Sequence, residues 1–465
     1  MEVGDLMTRS CFAQFKKGPR NGRPLERMES LIKAGQTPLL SIRLSPMTKL
    51  EIAFVTALIL KMGAELVLEA VNRIHVLKFS DQAPDGLGDV MDAETYAKSN
   101  EYTLAKSRFG SIVLVFDAAV LALIVLSGLL PVLFGWWSEQ FGDSNMYSAL
   151  FLIGVTTIIS IPGIPFEYWS QFKIEEKFGF NRSSVKLWVT DKTKGSVIGF
   201  LIGFPLLWLL ISLVGWIGGA WWIYAFVIMI VFQLLMMVLY PMLIMPLFNK
   251  LSPLEEGPLK DRLMELSDRA GFKAKTIQVI DGSKRSGHSN AYFTGFGKFR
   301  RIVLYDTLIE QLSEEELEAV LAHEIGHYKK GHIPKMIGLS ALMMLAAFWI
   351  INFLLHSSAF FEGFGFGPLE MGSSGNLGIA MLLFSLLGGL VTFWISPLFH
   401  GMSRKHEYEA DAFARNAVGD WKPLSGALRR LSEKNLSNLN PHPLYSGFHY
   451  SHPSLLERER AMKKG

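Results

Sequence analysis

Seven stretches of apolar sequence, at roughly 50–71, 111–137, 146–166, 195–217, 221–246, 336–356 and 377–399, limit what this chain can fold into. Each is close to the ~20 residues an α-helix needs to cross a bilayer. A hydrophobic content of 50% with only 19% charge in 465 residues agrees with this. The sequence therefore predicts a polytopic α-helical membrane protein. Lys61, Glu65 and Glu69 interrupt the first span, so these groups are expected to face the bundle interior or a wet cavity, the alternative being an interfacial amphipathic helix.

The connecting segments set an orientation. With seven passes, 72–110, 167–194, 247–335 and 400–465 share one side, and 138–145, 218–220 and 357–376 share the other. Segment 72–110 carries Arg73, Lys78, Lys98, Lys106 and Arg108, segment 167–194 carries Lys173, Lys177, Arg182, Lys186, Lys192 and Lys194, and the three opposite segments carry no Lys or Arg. The positive-inside rule then puts the first set in the cytoplasm. Residues 1–46 are rich in Gly, Pro, Ser and Arg, lack periodicity, and read as a disordered extension. Their eight basic residues oppose this orientation, and a translation start at Met47 removes most of the conflict. The one cysteine, Cys11, excludes a Cys-based structural zinc site. A net charge of +4 without a basic patch gives no sign of a nucleic-acid partner.

Chemistry enters at His323-Glu324-Ile325-Gly326-His327. On a helix, residues i and i+4 share a face, so two imidazoles can converge on one ion while the intervening Glu324 reaches its bound water. Ser313 with Glu316 forms a capping-box signature, and Leu317, Val320, Leu321 and Ala322 supply an apolar face, predicting a helix over about 314–331. A two-His zinc site needs a third protein ligand and an open position.

Segment 247–335 reads as part of a folded domain. Leu259, Leu263, Leu266 and Ala270 recur at helical spacing, Thr276–Ile280 reads as a strand, and Ala291–Phe296 with Arg300–Tyr305 reads as a hairpin around Gly297 and Lys298. An open edge there could pair with an extended peptide beside the metal. His288 and Asn290, just ahead of the strand, are polar candidates for substrate contact, although by spacing alone they read first as turn residues. Residues 403–418 read as a second helix, on which Glu407 and Asp411 share a face. A carboxylate ligand, with a second carboxylate orienting a liganding histidine, would complete the site. His400 and His406 also remain candidates. His332, nine residues after His323, falls on the opposite face if the helix continues, and Glu409 lies about 160° round the helix from Glu407, on a solvated side.

The run HEIGH, followed by EYEADAFA and HYSHPSLLER, resembles the integral-membrane CAAX prenyl protease family, zinc metalloproteases that cleave after a prenylated cysteine. MDAETYAKS (91–99), FKIEEKFGFN (172–181), GSKRSGHSNAYF (282–293) and RIVLYDTL (301–308) extend the likeness from about residue 50 to the end. The resemblance implies one zinc ion held by His323, His327 and Glu407, with Glu324 as general base and Asp411 as the carboxylate behind the ligands. It places Asn290 and His452 at substrate and transition-state contacts. It also implies a fold of about seven transmembrane helices enclosing a chamber, with a mainly α, small-sheet, zincin-type metalloprotease domain. Phe448 and Ser454 depart from the Trp and Pro often found in the last motif, which leaves the zinc chemistry untouched.

The expected organisation is an extension over 1–46, helices 1–5 over 47–246, a first protease part over 247–335, helices 6–7 over 336–399 and a second protease part over 400–465. The expected partners are a peptide or prenylated-protein substrate and the bilayer. The compartment is the inner membrane in a bacterium or the endoplasmic reticulum in a eukaryote, with the protease domain cytoplasmic. The competing reading is a membrane quality-control scaffold or a transporter with a structural zinc site, and the intact Glu324 argues against it, because a structural site has no use for a base.

Overall fold

The computed structural model describes residues 46–80, 86–272, 274, 276–294, 301–367 and 369–464. The expected disordered tail with its Met47 start lies almost wholly outside the described residues, as does the hairpin turn at Gly297 and Lys298.

Helix α1 spans Lys49–Lys78 and opens on a capping box between Thr48 and Glu51. The charges that interrupt its apolar run have partners within the protein, with Lys61 Nζ 2.9 Å from Glu65 and the Tyr445 hydroxyl donating to Glu69 Oε1 at 3.1 Å. Helix α2, Ala93–Leu126, starts far ahead of the apolar run, capped by Asp92. The expected span over 111–137 is split, because Gly128 (φ 73°) ends one helix and begins α3, Leu129–Phe141. The long basic segments expected as loops are mostly helical. Stretch α4 runs from Asn145 to Phe178 with a 3-10 turn at Ile161–Gly163 and a π-helical turn at Ser170–Glu175, and α5 (Val185–Ile217) begins soon after. Gly218 (φ 69°) then reverses the chain into α6, Trp221–Leu239. The two arms are antiparallel, since Lys194 Nζ donates to the carbonyl of Leu247 at 3.1 Å.

A short strand β1 (Leu251–Pro253), helix α7 (Pro258–Arg269) and strands β2 (Thr276–Ile280), β3 (Ala291–Thr294) and β4 (Arg301–Tyr305) follow. The sheet order is β1-β2-β4-β3. Ile277 lies opposite Ile302 in the parallel β2–β4 pair, and Ala291 opposite Leu304 in the antiparallel β3–β4 pair. Strand β3 is thus an edge strand. Helix α8 (Asp306–Gln311) leads into α9 (Glu314–Lys329), whose capping box is the Ser313–Glu316 pair.

Helix α10 (His332–Leu355) returns to the membrane and is tied to α6 by Trp221 Nε1 donating to Asn352 Oδ1 at 2.8 Å. After α11 (Ser358–Gly363) comes α12, Ser374–Val418, a single 45-residue helix. The sequence suggested two elements here, a span over 377–399 and a helix over 403–418. Nothing between them breaks the backbone, and Pro397 removes only one N–H from the ladder. Helices α13 (Lys422–Lys434), α14 (Pro443–His449) and α15 (Leu455–Lys464) complete the chain.

Among the described residues, five helical stretches are long and apolar enough to cross a membrane. One of them, Val185–Leu247, is the α5–α6 hairpin, whose two arms carry the apolar runs at 195–217 and 221–246, whereas α1, with Lys61, Glu65 and Glu69, is not among the five. Leu263, Leu266, Phe272, Ile277, Ile302, Leu304, Leu321 and Ile325 share one core with Ala414, Leu424, Ala427 and Met462. Residues on both sides of the last two membrane helices therefore build a single hydrophobic unit. At about 1.5–3 kcal/mol per buried large aliphatic side chain, this core holds the two parts together.

Candidate active site

Leu317, Leu321 and Ile325 are buried on one face of α9, which fixes its rotation. His323 and His327 consequently face α12, with their Nε2 atoms 3.1 Å apart. Across from them, Glu407 Oε2 lies 3.4 Å from His323 Nε2 and Oε1 lies 3.3 Å from His327 Nε2. The three donor groups fall within 4.8 Å of one another.

This arrangement fits a metal ion. Tetrahedral ligation at Zn–N distances of about 2.0–2.1 Å puts two nitrogens about 3.3 Å apart, close to the 3.1 Å between these two. Glu407 is buried, and its Oε2 has no hydrogen-bond partner among the described residues. Its nearest groups are His323 Nε2 at 3.4 Å and Arg458 Nη1 at 3.5 Å, weak contacts for a buried carboxylate oxygen that a bound cation would satisfy better. His323 points the same way. Burial alone would lower its pKa, but hydrogen bonds to Asp411 and Glu407 push it up to about 9, so the pocket favours positive charge.

Behind the donors, His323 Nδ1 lies 2.9 Å from Asp411 Oδ1. Asp411 is in turn gripped by Arg458, whose Nε and Nη2 donate to its two oxygens at 2.8 and 2.5 Å. Arg458 Nη1 also approaches Glu407 Oε2 at 3.5 Å. Sequence reasoning passed over Arg458 although it ends the quoted HYSHPSLLER run. The available signal was its place on α15 within the apolar spacing of Leu455 and Met462, where a charged residue must find a buried partner.

Glu324 is partly buried, and with Ala291 and Tyr292 of β3 it borders a small void between α9 and the sheet. Burial pushes its carboxyl pKa upward, which makes it a better proton acceptor. His452 is exposed, with Nε2 3.5 Å from Glu407 Oε1. It opens onto a cleft of about 770 Å³ whose polar wall includes Glu69, Tyr102, Lys106 and His288. His288 lies in this cleft wall, with Nδ1 3.0 Å from Asn435, Nε2 3.4 Å from Glu175, and its ring stacked on Phe180. Asn290 is exposed at the start of β3, where Oδ1 accepts from the Ala291 amide at 2.8 Å.

The other candidate histidines are accounted for elsewhere. His400 Nδ1 bonds the Phe448 carbonyl at 2.6 Å, and His406 stacks on His332 with centroids 4.0 Å apart. His332 is not remote from the site, contrary to the helical arithmetic. α9 ends at Lys329, Gly331 (φ 66°) turns the chain, and His332 opens a new helix with Nδ1 2.9 Å from His327 Nδ1. Glu409, expected in solvent, reaches His332 Nε2 at 3.0 Å.

A membrane helical bundle joined to an HEXXH helix and a carboxylate from a second helix defines a membrane metalloprotease. Residues 73–250 match the CAAX prenyl protease N-terminal family with five membrane helices, and 253–464 match peptidase family M48, so the chain belongs to the CAAX prenyl proteases of family M48. It is similar to CAAX prenyl protease 1 of Saccharomyces cerevisiae, 38% identical over 404 residues covering 82% of this chain and 88% of that protein. The Homo sapiens homolog is 34% identical, covering 85% and 91% respectively. The crystal structure of S. mikatae Ste24p superposes with a TM-score of 0.82 at 36% identity, covering 90% of this chain and all of that one. The chain is a membrane zinc metalloprotease of the CAAX prenyl protease type, and the scaffold or transporter reading is not favoured.

Proposed function

We propose that His323, His327 and Glu407 hold one Zn²⁺ ion and that the protein removes the C-terminal tripeptide after a prenylated cysteine. The observation that carries the ligand assignment is the convergence of these three donors to within 4.8 Å of one another, with Glu407 Oε2 held only by contacts of 3.4 Å to His323 and 3.5 Å to Arg458. Zinc bound there would supply Lewis acidity and lower the pKa of a coordinated water to about 7.

The remaining steps belong to the chain. An extended substrate pairs with the free edge of β3, its main chain held without demand on side-chain identity. Asn290 contacts it where the strand begins, and His288 forms part of the wall on the cleft side. Glu324 takes a proton from the attacking water as the new C–O bond forms, then returns it to the departing amine as the C–N bond breaks. His452 donates to the oxygen that gains negative charge. Asp411, fixed by Arg458, holds His323 in the tautomer that leaves Nε2 free.

We infer that the domains divide as the sequence suggests and that the protease domain faces the cytoplasm, on the asymmetry of the basic segments. Yeast, plant and animal relatives support a eukaryotic source and hence the endoplasmic reticulum membrane. The test presents purified protein with peptides bearing or lacking a prenylated cysteine and reads the cut sites by mass spectrometry. Cleavage confined to prenylated peptides supports the substrate assignment, whereas equal cleavage of both sets removes it.

A further inference from the structure

The two histidines of the HEXXH helix are backed differently. Nδ1 of His323 meets a carboxylate directly, at Asp411. Nδ1 of His327 meets another imidazole instead, Nδ1 of His332 at 2.9 Å, and the far side of that ring, Nε2, meets Glu409 Oε2 at 3.0 Å. His332 is 3% exposed, and its ring is sandwiched against His406 with the planes 13° apart, so its orientation is set by packing.

Hydrogen-bond logic gives this chain of groups one direction. If His327 ligates through Nε2, that atom offers a lone pair and Nδ1 carries the proton. Nδ1 of His332 must then accept, which leaves Nε2 of His332 as the N–H that donates to Glu409. Each group has one role, and no donor faces a donor.

We propose that His332 and Glu409 form a positioning relay that fixes the tautomer of His327 and strengthens it as a metal ligand. The inference rests on the reading of His327 as a ligand through Nε2. The carboxylate acts at one remove, pulling on the His332 proton and so making its Nδ1 a better acceptor for His327. A liganding histidine backed in this way is held in orientation and made more basic, and losing such a partner costs about 10- to 100-fold in metal affinity or activity.

The test uses full-length protein in detergent or nanodiscs, with zinc affinity read by chelator competition and ligand geometry by the visible absorption of the cobalt(II)-substituted protein. His332→Ala should weaken zinc binding about 10- to 100-fold and shift the cobalt bands. Glu409→Gln should produce a smaller change in the same direction. Glu409 is only partly buried, so this variant reports on the relay even if His332→Ala folds poorly. In a His332→Ala background, Glu409→Ala should add nothing, because contacting residues that act as a unit are non-additive. His327→Ala separates the two layers of the argument. If it loses zinc while His332→Ala and Glu409→Gln bind zinc and cobalt like the parent, the relay is overturned and the ligand set stands. If His327→Ala keeps zinc, the ligand set fails and the relay fails with it.

Discussion

Gly326 and Ala410 bring the two helices that carry the site into backbone contact. A Cβ at Gly326 would lie 3.0 Å from the Ala410 Cα and 3.1 Å from its carbonyl oxygen, which are backbone atoms that cannot swing aside. Glycine here is a condition for bringing Glu407 to the histidines. Gly326→Ala gains about 1 kcal/mol of helix propensity but incurs overpacking of typically 1–3 kcal/mol. Lower thermal stability and weaker zinc retention after chelator challenge are expected together. A variant more stable than the parent, with unchanged zinc, would show that the contact is not limiting.

Glu324→Gln keeps both imidazoles and the Glu407 carboxylate and loses only the carboxylate proposed as proton acceptor. Zinc stoichiometry should be unchanged while turnover falls about 10²- to 10⁴-fold. Metal content and peptide cleavage measured on one sample decide this, and near-normal turnover would remove Glu324 from the mechanism.

Arg458 neutralises Asp411 in a buried setting. Removing one partner of such a pair typically costs 3–5 kcal/mol, because the other charge is left uncompensated. Arg458→Met should therefore lower both stability and activity. Arg458→Lys should rescue only part, since an ammonium cannot grip both carboxylate oxygens in the planar fork. Full rescue by lysine would mean that only charge matters there.

Acid sensitivity should centre in part on Glu459. Burial would raise its carboxyl, yet hydrogen bonds from Arg429 and Ser425 and the charges of Arg429 and Lys463 carry it below the ordinary carboxylate value. A carboxyl depressed in the fold contributes stability that is present above its unfolded pKa of about 4.3 and lost as pH falls through the folded value. In Arg429→Met the buried carboxyl has lost its main partner, so the same acidification should cost less stability. Parallel melting curves from neutral to acidic pH provide the check, and identical acid losses in the two proteins would contradict it.

The orientation is tested with single cysteines at Ser358 and Ser432 in a Cys11→Ser background, labelled in sealed microsomes, cytoplasmic face outward, by an impermeant reagent. Labelling is expected at Ser432 at once and at Ser358 only after detergent opens the vesicles. The reverse pattern would place the protease domain outside the cytoplasm.

Much of this fold is legible locally. The Ser313 capping box, the i,i+4 histidines and the edge strand from Ala291 are short-range patterns, and they appear as read. Two of the boundary differences share one cause. Hydropathy reports where lipid begins, not where a helix ends, so α2 begins at Ala93 and α12 continues past the apolar run to Val418. The surroundings of the site were harder to read for another reason. His332 and Glu409 meet only because Gly331 ends one helical phase and starts another, and Arg458 reaches Asp411 across 47 residues. Such pairings are set by tertiary packing, which no helical wheel records.

The uninterrupted α12 has a mechanical meaning. At 1.5 Å per residue its 45 residues form a rod about 68 Å long, more than twice the ~30 Å hydrocarbon layer in which its first half sits. Its far half is clamped to α9 by the Gly326–Ala410 contact and by the core shared with Ala414, so α9 and Glu407 belong to one rigid body at the end of the rod. A force that reorients the rod in the bilayer is therefore shared by both helices of the site instead of being taken up between them.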